Sequence, residues 1–296
     1  MLSIIPQEIS TSKLHSYLLS AVSPRPIAFA STVDGLGNVN LSPFSFFNVF
    51  SANPPILVFS PARRVRDNTT KHTLENILIT KEVVINIVNY DMVQQMSLSS
   101  TEYPDGVNEF LKSGLTEVAS DIVKPPRVKE APVHFECKVN DVIALGNEGG
   151  AGNLIIAEVV KLHIKETILD ADGKIDANRI DTVARMGGNW YNRSREGMFE
   201  VIKPIKTRGI GVDALPLSIK NSEILTGNDL GILGNSESIP SMDEVKEYLS
   251  LMVEKSLDIQ TVNKKKLEEQ AQNMIQEGTI LDAFKLLLAI DLMNIK

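Results

Sequence analysis

Between Arg63 and Thr73 the chain reads RRVRDNTTKHT, which sets Arg63, Arg64, Arg66 and Lys71 among Asn68, Thr69, Thr70 and Thr73. Leu74, Ile77 and Leu78 follow at helical spacing, so the cluster stands at a helix start. Unpaired backbone N–H groups and the helix dipole favour an anion there, and the added cations and hydroxyls suit a phosphate. An ordinary capped surface helix with solvated arginines satisfies the same pattern. A second group lies upstream in NLSPFSFFNVFSANPP, Asn40 to Pro55, where Phe44, Phe46 and Phe47 sit among Ser42, Ser45 and Asn48. The chain is 5% aromatic with ten Phe in all, so three within four positions is a concentration. The mixture fits no clean helix or strand face but suits a loop that holds a flat, partly polar ring. Adjacent strand residues point oppositely, so at least one of the three packs in the core, and Phe47 is expected there. A ring site followed by a phosphate site describes a ligand with one of each.

A third stretch, RMGGNWYNR, pairs Gly187 and Gly188 with Arg185, Trp190 and Tyr191. Consecutive glycines permit close backbone approach or positive φ. The aromatic and cationic side chains can then line a pocket; a tight turn packing one Trp fits equally well. Other chemistry is not indicated. His15, His72, His134 and His163 are scattered singly, with no second ligand at metal spacing, so no metal site is expected. Cys137, in HFECKV, reads as a small buried hydrophobe and not a redox thiol. The glycine-rich run Gly146 to Asn153 leads into the strand-like LIIAEVV and not into a helix, so it reads as a hairpin and not a dinucleotide loop.

The elements that must position these groups divide near residue 200. From Ile27 to Ile164, short β-rich segments (PIAFAST, PPILVFS, VVINIVNY, HFECKVNDVIAL, NLIIAEVVKLHI) alternate with Gly, Pro and Asn/Asp turns, the spacing of a barrel or sandwich. Beyond Val201, SMDEVKEYLSLMVEKSLDI and NKKKLEEQAQNMIQEGTILDAFKLLLAIDLMN have helical periodicity, with Leu249, Met252 and Val253 on one stripe. Leu281 and Phe284 share a second stripe that Lys285 interrupts, and Ser241 before Glu244 opens a capping box. The expected domains are residues 1–203 and 204–296. Ile205 to Pro240 keeps regular Ile and Leu among its Gly, Asn and Ser, too apolar for a disordered linker. It is expected to be ordered against the barrel, either restricting which acceptor reaches the site or serving as a remote stabilising cap. A formal net charge of -7 argues against nucleic acid, and one cysteine excludes an internal disulfide framework. The opening MLSIIPQEIS does not read as a secretory signal, and no apolar run approaches a membrane span. A cytoplasmic protein that contacts neither nucleic acid nor membrane is expected.

SPRPIAFASTVDGLGNVNLSPFSFFNVFSANPPILVFSPA resembles the N-terminal half of the flavin reductase-like, FMN-binding split-barrel family, which includes flavoredoxins. The matching elements are Pro24-Arg25-Pro26, Ser31-Thr32 with Asp34-Gly35, Asn40 through Asn48, Pro54-Pro55 and Ser60. Lys71-His72-Thr73 stands where the family carries Lys-Asp-Thr, so His72 replaces the acid. NEFLKSGL, APVHFECKV and ARMGGNWYNR extend the resemblance, which runs from about Ser10 to about Glu200.

The resemblance implies a mainly β (α+β) fold, a six-stranded antiparallel Greek-key split barrel, here with a helical C-terminal extension. It implies a homodimer with FMN at the subunit interface. Ser45 and Thr32 are then expected on the polar edge of the flavin and Phe44 or Phe46 on its apolar face. Ser60, Arg64, Lys71 and Thr73 are expected on its phosphate. Arg185, Trp190 and Tyr191 line the pocket, and Arg25, Ser42, Asn48, Asn68 and Gly188 complete the cofactor-binding set. The implied activity is reduction of bound flavin by NADH or NADPH, then electron delivery to a small-molecule or protein acceptor, with no catalytic side chain. Alternatives are a flavoredoxin-like electron carrier without nucleotide reductase activity, or a flavin-binding protein that contacts a partner.

Overall fold

The structure, a computed structural model, describes residues 1–201, 208–254 and 263–293. The chain forms two compact units, Met1–Phe199 and Glu200–Lys296. The boundary expected at 203/204, and the start of the 205–240 segment, lie outside the described residues.

In the first unit, helix α1 (Thr11–Ala21) precedes strands β1 (Ala28–Val33), β2 (Val39–Phe44), β3 (Phe47–Ala52) and β4 (Pro55–Phe59). Helix α2 (His72–Thr80) leads to β5 (Glu82–Ile87), and the short helices α3 (Val93–Leu98) and α4 (Glu109–Ser113) follow. A minor ribbon, β6 (Glu117–Val118) with β7 (Arg127–Val128), precedes the long hairpin β8 (Val133–Ala144) and β9 (Asn153–Ile164). Helix α5 (Ala177–Ile180) and the hairpin β10 (Val183–Arg185) and β11 (Tyr191–Arg193) complete the unit.

The main sheet is antiparallel, in the order β2-β1-β5-β8-β9-β4-β3. It has seven strands where six were expected. The aromatic stretch read as a loop splits into β2 and β3, and β3 pairs with β4 as an edge strand, Phe47 opposite Phe59, with a bulge between Val49 and Ser51. Only Ser45 and Phe46 separate the two edges of this sheet. Three Cα–Cα steps span at most about 11 Å, so the sheet must curl until its edges meet at that end. The result is a barrel with one seam.

Strand β1 is buried along its whole length, because each of its faces meets a different core. Ala28 and Ala30 face a cluster with Phe44, Phe59, Ile85, Cys137 and Ile155, joined by Leu74 and Ile77 of α2. Phe29 points oppositely, into a cluster with Leu41 of β2 and with Met92, Met96 and Phe110 from α3, α4 and their flanks. Cys137 lies fully buried in the first cluster, which pushes its thiol well above the usual range. The Gly146–Asn153 run is the β8–β9 turn, with Ala144 opposite Asn153.

The second unit is helical: α6 (Leu217–Lys220), α7 (Gly227–Gly234), α8 (Met242–Glu254), α9 (Lys264–Gln276) and α10 (Ile280–Leu292). Its own core includes Leu215, Ile219, Leu233, Val245, Leu267, Phe284 and Leu287. Ser241 and Glu244 exchange the reciprocal bonds of a capping box. The last periodic stretch is two helices and not one, broken at Gly278, whose φ of 85° a side chain would resist. Leu281, placed on the buried stripe by its spacing, is exposed, and Ala283 and Leu287 take that place beside Phe284.

Candidate functional site

The RRVRDNTTKHT stretch forms a loop that runs into α2. Asn68 adopts a left-handed conformation, φ 57°, and its side-chain oxygen and backbone carbonyl both accept from the Arg63 guanidinium, at 2.6 and 2.7 Å. The β8–β9 turn braces this loop: Gly150 N–H donates to the Arg63 carbonyl at 2.9 Å, and Arg63 N–H to Ala151 at 2.8 Å. A Cβ on Gly149 would come within 3.0 Å of the Arg64 carbonyl, so the glycine is what lets the two backbones meet. The glycine run therefore cradles protein backbone.

Arg64, Lys71, Thr73 and Ser42 line one narrow pocket with Asn40, His72, Glu109 and the segment Ser99–Tyr103. Its free space is about 30 Å³, room for a few waters at most. Lys71 is the N-cap of α2 and has no capping side-chain bond. The first N–H groups of a helix have no intrahelical acceptor, so they add donors here. Burial lowers the Lys71 ammonium below its usual range, and the neighbouring Arg64 lowers it further against a partial offset from Glu102. An anion would relieve that crowding of cations.

The Thr73 hydroxyl is turned away from such a role. It donates to Asn40 Oδ1 at 2.7 Å, and Asn40 Nδ2 donates to Glu109 Oε1 at 2.9 Å. Glu109 Oε2 accepts from Leu41 N–H at 3.0 Å. Burial pushes the Glu109 carboxyl above its usual range despite these bonds. Thr73 thus anchors the start of α2 to β2, and what it can offer a ligand is its backbone.

A second constellation gathers at the seam. Arg25 is buried, and its guanidinium donates to the carbonyls of Val22 at 2.8 Å, Met186 at 3.0 Å and Leu19, with a long contact to Ser45 Oγ at 3.4 Å. Backbone bonds in both directions between Arg25 and Arg185, 2.9 and 2.8 Å, dock the β10–β11 hairpin on the start of β1. Arg25 therefore binds protein carbonyls and acts by positioning. Beside it, Ser20, Ser23, Gly187, Gly188, Trp190 and Tyr191 surround an open depression of about 620 Å³. Gly188 has φ 58°, and its carbonyl accepts from Arg185, whose guanidinium lies over the Tyr191 ring at 4.6 Å. Trp190 is 78% exposed.

Several expected positions lie elsewhere. Phe44 is buried in the core, its ring 5.5 Å from that of Phe59, and the half-buried Phe47 packs against the same cluster, so both of these rings serve the core. Phe46 is exposed at the seam, edge-on to His15 of α1. Thr32 is fully buried, and its hydroxyl accepts from Asn76 of α2 at 3.1 Å, so it braces that helix and faces no cleft. Ser60 Oγ accepts from Asn153 N–H at 3.0 Å and supports the β8–β9 turn. Asn48 is exposed on β3, its side chain bonded to the next N–H. The Ser99–Tyr103 segment was missed. Its only sequence signal is the hydroxyl-rich SLSSTEYPDG, far from the arginines in the chain.

The histidines are not all solitary either: His134 and His163 are cross-strand partners, ring centres 6.3 Å apart. His163, Glu136 and Asp121 come close enough to share an ion. Glu136 already accepts from the N–H groups of Asp121, Ile122 and Val123 and pairs with His163, while Asp121 pairs with Lys161. Among the described residues no helix is long and apolar enough to cross a membrane.

Residues 20–179 match the sequence model of the flavin reductase like domain. An uncharacterised protein of Aquifex aeolicus is 37% identical over 190 residues, 64% of this chain and 94% of that one. The crystal structure of nitrilotriacetate monooxygenase component B from Bacillus cereus superposes with a TM-score of 0.63 at 30% identity, covering 69% of this chain and 98% of that one. A split-barrel protein from Shewanella frigidimarina, assigned as a flavin reductase, gives 0.58 at 28% identity, covering 67% and 95%.

Proposed function

Because the chain belongs to the family of the flavin reductase like domain, an α+β fold built on the split barrel, we propose that its Met1–Phe199 unit binds FMN and works as an NADH- or NADPH-dependent flavin oxidoreductase. One observation carries the reading. The cation pocket at Ser42 and the seam at Ser45 lie three residues apart on and just beyond β2. That is roughly 10 Å of extended chain, a span that a ribityl phosphate can bridge. The donor set fits a phosphate: Lys71, Arg64 and the first N–H groups of α2. Phe46 and the polar Ser45 stand at the other end, where a ring with one apolar face and one polar edge would lie. Arg25 ties Ser45 to the Met186 carbonyl, which fixes the Trp190 hairpin beside that position.

Bound flavin supplies the hydride and single-electron chemistry. The protein's part is to hold the phosphate, orient the ring and leave a face open to a nicotinamide and then to a small-molecule or protein acceptor. Edge strand β3 exposes Val49 and Phe50 beside Phe46, an apolar edge suited to a second copy of the chain, and a homodimer completing the flavin site is part of the proposal. A cytoplasmic location belongs to the same reading.

The test is the absorbance spectrum of the purified protein mixed with FMN, then with NADH or NADPH. Bound flavin that bleaches supports the proposal. Bound flavin that neither nucleotide bleaches leaves an electron carrier, and no binding at tens of micromolar FMN refutes the whole reading.

A further inference from the structure

The cation pocket already holds an anion from the protein's own chain. Glu102 Oε1 accepts from Arg64 Nε at 3.1 Å, and Glu102 Oε2 from the Arg66 guanidinium at 3.1 Å. It reaches them from Ser99–Tyr103, the segment that closes the pocket opposite α2. With that carboxylate in place, about 30 Å³ of free space remains in the pocket. Arg64 is otherwise fixed by its own loop, donating to Thr69 Oγ1 at 2.9 Å and to the Thr70 carbonyl. The guanidinium is thus oriented without Glu102. The carboxylate is 44% exposed and Arg66 is 73% exposed, so solvent screens the pair and little is lost when it opens. Lys71, by contrast, has no ion-pair partner among the described residues.

We propose that Glu102 is a built-in competitor for the phosphate of the flavin: it occupies Arg64 until the phosphate arrives, must swing aside to admit it, and weakens its retention by like-charge repulsion. The proposal rests on the phosphate-site reading above and extends it to a property of the ligand, exchange. An anionic side chain at the mouth of a cation pocket penalises a phosphate monoester and leaves an uncharged flavin untouched. The device makes FMN an exchanging ligand and not a permanently held group.

The test compares FMN with riboflavin, which lacks the phosphate, in Glu102→Gln and Glu102→Ala against the unaltered chain, by flavin-fluorescence titration and stopped-flow release. Removing one charge near a dianion at a half-exposed site should tighten FMN roughly fivefold to tenfold. The gain should appear mainly as slower release, with riboflavin unchanged within about twofold. Lys71→Met separates the two ideas. If Lys71→Met weakens FMN while both Glu102 variants leave it unchanged or weaker, the competitor role is wrong and the phosphate site stands. If FMN and riboflavin bind alike and Lys71→Met changes neither, the phosphate site falls and this proposal falls with it.

Discussion

Acid should loosen the barrel through one side chain, His134. On β8 its Nδ1 lies 2.8 Å from Asn86 Oδ1, which also accepts from Val128 N–H at 3.0 Å. Asn86 Nδ2 donates to the Phe29 carbonyl at 2.9 Å, and that fixes which amide atom faces the imidazole. His134 must therefore carry a proton on Nδ1, which leaves Nε2 as the atom that titrates. Burial, then Arg127, His163 and Lys165, lower its pKa from 6.5 to about 4, with only a partial offset from Glu136. The folded value lies below the unfolded one, so between these limits the unfolded chain binds more protons and stability falls as pH falls. At about 1.4 kcal/mol per pH unit, acidification from pH 7.5 to 4.5 should remove about 2 kcal/mol, after a discount for residual solvent contact. The perturbation is His134→Gln, which keeps a donor for Asn86 but does not titrate. Amide hydrogen exchange of β5 and β8 reports opening of this unit alone. The unaltered protein should lose protection by about 2 kcal/mol more than the variant over that pH range. Equal losses in both would refute the assignment of acid sensitivity to His134.

Four further outcomes are expected. Lys71→Met should weaken FMN by roughly 10- to 100-fold, the loss of one charge-assisted bond, with riboflavin unaffected in the same titration. Phe44→Ala should cost about 3–5 kcal/mol in denaturant unfolding, whereas Phe46→Ala should cost under about 0.5 kcal/mol and instead lower flavin affinity; the reverse order would return Phe44 to the ligand. Phe50→Lys on the exposed edge strand should give monomers by sedimentation velocity, and an intact dimer would place the interface elsewhere. Ending the chain after Lys203 should leave FMN binding intact, because the Met1–Phe199 unit has its own cores; the ratio of rates with large and small acceptors then decides between the two roles expected for residues 205–240, an unchanged ratio removing the gating one.

The motifs at Arg25, Asn40–Asn48, Lys71 and Arg185–Tyr191 were enough to indicate the family, and in the structure Arg25 and the Arg185–Tyr191 hairpin are joined through the Arg25 guanidinium and backbone. Periodicity likewise exposed the change near residue 200. What periodicity could not show is where alternation resets. In Pro43 to Asn48 the break at Ser45 and Phe46 resets the inward side, so Phe44 and Phe47 both reach the core while Phe46 stays exposed. Hydroxyls misled for a related reason: Thr32 and Ser60 resemble ligand contacts in a motif, yet buried backbone and amide donors claimed them. The partner of Arg64, Glu102, comes from the segment between α3 and α4, which the packing of Met96 and Phe110 holds against the barrel. Such contacts have no local signature.

The order of strands in the sheet has a consequence for synthesis on the ribosome. β1 with β2 and β3 with β4 are neighbouring hairpins in the chain, yet in the sheet they are held apart by β5, β8 and β9. The last two belong to Val133–Ile164, roughly a hundred residues downstream of β4 and thus about 5–20 s later in translation. Until then the inner edge of β4 has no partner, and an unpaired strand edge is where a nascent chain invites foreign strands. Late, long-range pairing also slows folding, since loop closure precedes any gain from contact. The stretch with the most chemistry in it is therefore translated early and waits longest for its walls.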